Sequence, residues 1–282
     1  MARNRSRTAL LAALTVTALS ASAFLVYGWQ SVPVKEDPLV RMPGTQPDNG
    51  VSLEAPGRCL KCHAGFNAEV EPGFNWKGSM TAQSARDFLY WSCLTVAAQD
   101  SIWAVGTPNA TDICLRCHFP KGWLEGRSDP TNGSAMAGAD YDGVQCDFCH
   151  RMYEPFYQDA WMGEREGSDW VGDWDETNAS ATPSQPAADE THAADRTQAS
   201  SILEFNGQPF FANDRPPTSY TEAGSGQYYV SGNAAKRASF ADAAARHQML
   251  HSRFHKSKYM CGTCHDVSNP VLDNWARTGP IR

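Results

Sequence analysis

The pattern Cys-x-x-Cys-His occurs four times in this chain: Cys59-Leu60-Lys61-Cys62-His63, Cys114-Leu115-Arg116-Cys117-His118, Cys146-Asp147-Phe148-Cys149-His150 and Cys261-Gly262-Thr263-Cys264-His265. Eight of the nine cysteines are used this way. From the chain's own Cys and His content, one such pattern is expected by chance in on the order of 0.01 chains of this length, so four together are not accidental. Two thiols one short turn apart can add to the two vinyl groups of one haem, and an imidazole on the next residue then sits beneath the iron. The pattern therefore predicts four covalent haem c groups. Cys59, Cys62, Cys114, Cys117, Cys146, Cys149, Cys261 and Cys264 are the expected attachment points, and His63, His118, His150 and His265 the expected proximal ligands. A pair of Cys-x-x-Cys patterns could instead bind zinc, and an isolated one could be a redox dithiol, but neither accounts for a His directly after the second Cys in every copy. The irregular spacing of the four copies argues for one irregular fold and against a tandem module.

A chain of 282 residues suffices for one large or two modest domains. Apolar residues at 41%, charged residues at 20% and a mean hydropathy of -0.47 exclude a multi-span membrane protein. The formal charge of -7 argues against nucleic acid as a partner. Haem rings would supply part of the hydrophobic core, and nine Trp and twelve Phe suit packing against flat macrocycles. Lys61, Arg116, Lys121, Arg127, Arg151, Lys236 and Arg237 are candidates to pair with haem propionates, against the plainer alternative of solvated surface charges.

Arg3, Arg5 and Arg7 precede a segment from Ala9 to Trp29 without a single charge, the arrangement of an export signal. Ala21-Ser22-Ala23 offers a cleavage site, yet Phe24 to Tyr27 prolong the apolar run, and roughly 20 residues would span a bilayer core of about 30 Å. Residues 1–29 are thus expected to be a signal peptide or signal anchor, with the remainder exported and possession of a membrane tether depending on cleavage. Residues 30–56, rich in Pro, Gly and Asp, read as a tether. Residues 57–282 read as the haem-bearing domain, with a flexible insertion at 177–200 composed of Ala, Thr, Ser, Asp, Glu, Gln and Pro. Helices are expected from Ser79 to about Ser101, capped by Ser79, and from about Phe240 to Lys258, favoured by Ala243, Ala244 and Ala245. The one strand signal is Gln227 to Val230. The fold class expected is mainly α with long irregular loops, organised around covalently bound haems.

Four histidines lie outside the motifs: His192, His247, His251 and His255. His192 falls in the expected flexible insertion, where nothing would hold an imidazole. His247, His251 and His255 recur every four residues of the second expected helix. On such a helix, residues eight apart are separated by about 12 Å, room for two rings, whereas neighbours four apart are only about 6 Å apart. His247 and His255 are therefore the expected distal ligands of two different haems, and His251 is not needed. Met80 is a further candidate ligand, whose thioether would raise the potential of its haem. Cys93, the ninth cysteine, reads as buried and inert in an apolar helix face.

Gly78-Ser79-Met80 through Asp87, Asp112-Ile113-Cys114 through Pro120, Asp142-Gly143-Val144-Gln145-Cys146 through Arg151, and Tyr259-Met260-Cys261 through Pro270 together resemble a family of exported bacterial multihaem c-type cytochromes. The resemblance runs from about residue 55 to 275. It implies haem c and the cell envelope more than a defined reaction. The function expected is electron transfer by a membrane-tethered cytochrome, with other redox proteins or a quinol-oxidising membrane complex as partners. Members often continue past the fourth motif with more haem sites, so the chain is also readable as part of a longer cytochrome. Rival readings are a multihaem oxidoreductase acting on small nitrogen or sulfur compounds at an open haem, and a subunit of an extracellular cytochrome filament. Enzymes of the first kind often carry Lys in place of a proximal His, or a crosslinking Tyr; all four motifs here end in His.

Overall fold

The computed structural model describes residues 32–37, 44–155, 165–166, 184–199, 226–240 and 245–265. Among them the architecture is mainly α: α1 (Pro56–His63), α2 (Pro72–Lys77), α3 (Met80–Gln83), α4 (Phe88–Val105), α5 (Asp112–His118), α6 (Pro120–Leu124), α7 (Cys146–Cys149), α8 (Ser184–Ala199) and α9 (Lys258–His265). Two short ladders complete it. β1 (Met152–Tyr153) runs antiparallel to β2 (Tyr229–Val230), and β3 (Lys236–Ala238) runs parallel to β4 (Met249–His251).

Local chemistry sets the helix ends. Pro56, Pro72 and Pro120 occupy first helical positions, where the missing N–H costs nothing. Pro120 also forbids continuation of α5, so a new helix starts two residues after His118. Ser79 caps α3 as expected, accepting from the Ala82 amide at 3.2 Å. The single helix expected from Ser79 is broken, because Asp87 accepts from the Leu89 amide at 2.9 Å and caps a second helix, which reaches Val105 before Gly106 ends it at φ +83°. Cys93 on α4 is exposed, contrary to expectation, because this helix buries Tyr90, Leu94 and Ser101 and leaves Phe88, Leu89, Val96 and Trp103 outward.

The helix expected from Phe240 to Lys258 is overturned wherever it is described. Residues 245–248 form no helix, Met249–His251 is strand β4 and Phe254–Lys256 is one turn of 3-10 helix; residues 241–244 lie outside the described set. Alanine propensity is a local preference of a few tenths of a kcal/mol per residue. Extended pairing with β3 instead buries Leu250, His251 and Phe254, which a surface helix with so few apolar residues would not. The insertion at 177–200 also differs from expectation over 184–199, which is helix α8 with Ala188, Thr191 and Asp195 buried. It docks through polar groups: Thr191 Oγ1 donates to the His251 carbonyl at 2.5 Å, and Asp195 pairs with Arg237 at 2.6 Å. In the expected tether, Thr45, Val51 and Leu53 are buried, and the Thr45 amide donates to the Tyr228 carbonyl at 2.9 Å. Residues 1–31 lie outside the described set, and among the described residues no helix is long and apolar enough to cross a membrane.

The core gathers Leu115 and Phe119 around α5, Trp123 and Leu124 on α6, Phe148 on α7, and Tyr228 before β2. Each such side chain contributes roughly 1.5–3 kcal/mol by leaving water. Gly143 draws the third motif against α3: its φ is +66°, and a Cβ there would stand 2.6 Å from the Thr81 carbonyl oxygen.

Candidate haem-binding sites

Each Cys-x-x-Cys-His run occupies a single helical turn, in α1, α5, α7 with the following residue, and α9. Residues three apart share a helix face, so each turn presents two thiols to one side with the imidazole next to them. All eight motif thiols are free. The motifs also meet in pairs. The Cys146 thiol hydrogen-bonds Cys59 and holds that thiol down at about 7, while the same contact pushes Cys146 up. The Cys264 thiol does the same for Cys117, against the opposing effect of burial, and is itself raised. Burial pushes Cys114 up to about 11 and Cys149 up to about 12. First and third motifs therefore adjoin, as do second and fourth.

The histidines of the middle two motifs have their tautomer fixed. His118 Nδ1 lies 2.8 Å from the Ser84 carbonyl oxygen, and His150 Nδ1 lies 2.7 Å from the Arg237 carbonyl oxygen. A carbonyl only accepts, so Nδ1 carries the proton and Nε2 keeps a lone pair, the state a metal-binding imidazole needs. Tyr90 stacks on His118 at 3.9 Å between centroids and 15° between planes. Burial lowers the His118 pKa, the Ser84 hydrogen bond opposing.

Two of the non-motif histidines face motif histidines. The rings of His63 and His247 are 6.4 Å apart, and those of His150 and His255 are 6.2 Å apart. Two imidazoles on opposite sides of one metal ion, each bonded at about 2 Å, place their centroids about 6 Å apart. Among the described residues no ring contact joins a second histidine to His118 or His265. His251 is buried in β4, His192 is half-buried on α8, and Met80 is 79% exposed at the start of α3. The helical stacking that singled out His247 and His255 is absent. Their separation arises from a bend, a strand and a 3-10 turn.

Cys pairs, tautomer-fixed imidazoles and opposed histidines fit covalent haem. Among the described residues no three His, Cys, Asp or Glu side chains converge as direct ligands of a bare metal ion. Most of the cations proposed for propionates are engaged by the protein itself. Lys121 pairs with Glu125 at 2.5 Å, Arg127 with Asp140 at 2.6 Å, Arg151 with Asp147 at 3.2 Å and Arg237 with Asp195, while Lys236 bonds Asp147. Arg116 lies buried between the rings of Trp123 and Tyr228, 4.5 and 4.8 Å from their centroids. Sequence reasoning also missed Ser84 and Arg237 as carbonyl acceptors, Tyr90 as a stacking partner, and Ser252 and Glu166 behind His255. Any residue can supply a carbonyl, so no sequence signal marks the first two.

Residues 58–151 match the family model of cytochrome c554 and c-prime. The match takes in the first three motifs and covers about a third of the chain. No curated protein and no solved structure matches the chain. The matched stretch supports a c-type cytochrome, and with it covalent haem c and a role in electron transfer.

Proposed function

We propose that this chain is an exported electron carrier holding four haem c groups, one on each motif. The observation that carries this reading is the pair of opposed histidines, His63 with His247 and His150 with His255, on motifs whose thiols are free. In this reading His247 is the distal ligand at the first motif and His255 at the third. When bound, haem supplies a one-electron store at its iron; the protein binds it, excludes water and sets its potential through ligands and burial. The thiol contacts Cys59 with Cys146 and Cys117 with Cys264 support two close pairs of rings, across which electrons pass without a catalytic residue. Other redox proteins or a quinol-oxidising membrane complex are the proposed partners, reached from the periplasmic or cell-surface side. Residues 1–29 are the proposed signal anchor, tested by alkaline carbonate washing with N-terminal sequencing: a soluble species beginning at Phe24 reduces them to a signal peptide.

The decisive experiment is the mass of the denatured holoprotein with a pyridine haemochrome count. Four haems per chain are expected; two or fewer in fully exported, matured protein reject the reading. The rival, an oxidoreductase using an open haem, draws on the lack of a histidine ring against His118 or His265 among the described residues. Turnover of nitrite or hydroxylamine by the purified holoprotein would favour it over a carrier.

A further inference from the structure

Behind His255 a chain of hydrogen bonds runs into the protein and ends on a buried carboxyl group. Ser252 is fully buried and Glu166 is 2% exposed. Ser252 Oγ lies 2.7 Å from His255 Nδ1 and is bonded to Glu166 Oε2. On the opposite edge of the ring, Nε2 lies 2.8 Å from the Cys149 carbonyl oxygen. That carbonyl can only accept, so this contact needs a proton on Nε2, whereas a metal needs the lone pair there. Ser252 Oγ donates to Glu166 Oε2, so its own lone pairs face Nδ1 and suit the tautomer with the proton on Nδ1 and the lone pair on Nε2.

If Nε2 offered its lone pair to a metal, the one proton of the neutral ring would sit on Nδ1 and be donated to Ser252 Oγ, whose hydroxyl donates to Glu166. The ring proton would move from Nε2 to Nδ1 and the imidazole stay neutral, so no proton is lost.

We propose that Ser252 and Glu166 are positioning residues for His255, selecting the tautomer that presents Nε2 to a haem on the Cys146–Cys149 motif and strengthening that imidazole as a donor. This rests on the reading of His255 as a distal ligand. A carboxylate-backed hydrogen bond to Nδ1 makes the ring more basic, favours the ferric state and lowers the potential.

The test uses the mature holoprotein, with potentiometric titration followed by optical and EPR spectra. Glu166→Gln and Ser252→Ala should each keep haem content and the low-spin signals while moving one haem's midpoint upward; Ser252→Thr, which keeps a hydroxyl, should restore the parent value. Should Glu166→Gln fail to accumulate, Ser252→Ala, which removes one oxygen, carries the test. Unchanged midpoints in Ser252→Ala overturn the inference. His255→Ala separates the two readings: if it turns one haem high-spin while Ser252→Ala moves no midpoint, the ligand stands and the relay fails. If His255→Ala changes no spin state, the ligand reading fails and the relay with it.

Discussion

The imidazole of His255 lies 6.2 Å from that of His150 and within 12° of parallel to it. One ring stands at the end of a helical turn whose geometry its motif dictates. The other arrives on a 3-10 turn that follows a parallel strand pairing. Replacing His255 by Ala should convert one low-spin haem, that of the third motif, to high spin in EPR, and Met should raise its potential. His247→Ala should act on a different haem, that of the first motif. His251→Ala should leave every spin state unchanged, although its ring is buried. Perturbation of a single haem by all three substitutions would contradict this pairing.

Cys149 touches the same arrangement through its backbone, its carbonyl oxygen lying 2.8 Å from His255 Nε2. Cys149→Ala or Cys117→Ala should abolish stable holoprotein and not merely one haem, because a missing ring leaves a cavity far larger than that of a Leu→Ala change, itself worth about 2–5 kcal/mol. Yield and haem staining after export check it; a stable protein short of one haem would count against it.

Gly143 should not tolerate a side chain. A Cβ would stand 2.6 Å from the Thr81 carbonyl and 2.9 Å from that of Ala82, both backbone atoms that cannot swing aside. Together with the positive φ, this predicts that Gly143→Ala loses about 1–3 kcal/mol or more in denaturant unfolding, with no direct effect on any ligand.

Asp147, inside the third motif, is a junction. It accepts from Lys236, from Arg151 at 3.2 Å and from the Glu54 amide at 2.8 Å, and its side chain is fully buried. Asp147→Asn should cost about 3–5 kcal/mol, since it leaves buried cations without their counter-charge. A loss under about 1 kcal/mol in chemical denaturation would show that water or other groups compensate.

Glu125 gives the fold an acid limit. Burial alone would raise its pKa, but hydrogen bonds from Lys121, Arg127 and Ser52 hold it down at about 2, against 4.5 ordinarily. A carboxyl depressed by folding contributes stability that is fully present above pH 4.5 and is lost as pH falls toward 2. Glu125→Gln should flatten that part of the stability profile, read from thermal midpoints between those limits; an unchanged slope would place the acid sensitivity elsewhere.

The haem chemistry was legible in the chain because it is local. Cys-x-x-Cys-His closes within one helical turn, so spacing alone determines that Cys59 and Cys62, or Cys146 and Cys149, face one way with an imidazole beside them. The Ser79 cap and the prolines that start helices were legible for the same reason, each acting over three or four residues. What spacing could not decide was anything requiring two distant segments. His247 and His255 were singled out by helical periodicity, yet the segment that carries His255 pairs with β3, because burying Leu250 and Phe254 outweighs the helix preference of the nearby alanines. The polar stretch at 184–199 became a docked helix because Asp195 and Thr191 find Arg237 and the His251 carbonyl, partners more than 40 residues away. The carbonyls that fix the tautomers of His118 and His150 belong to Ser84 and Arg237, whose side chains have no part in it. The sequence by itself thus determined which thiols pair and which imidazole stands beside each pair; only the tertiary structure decided which motifs adjoin and which histidines oppose each other, because those relations depend on long-range burial and hydrogen bonding.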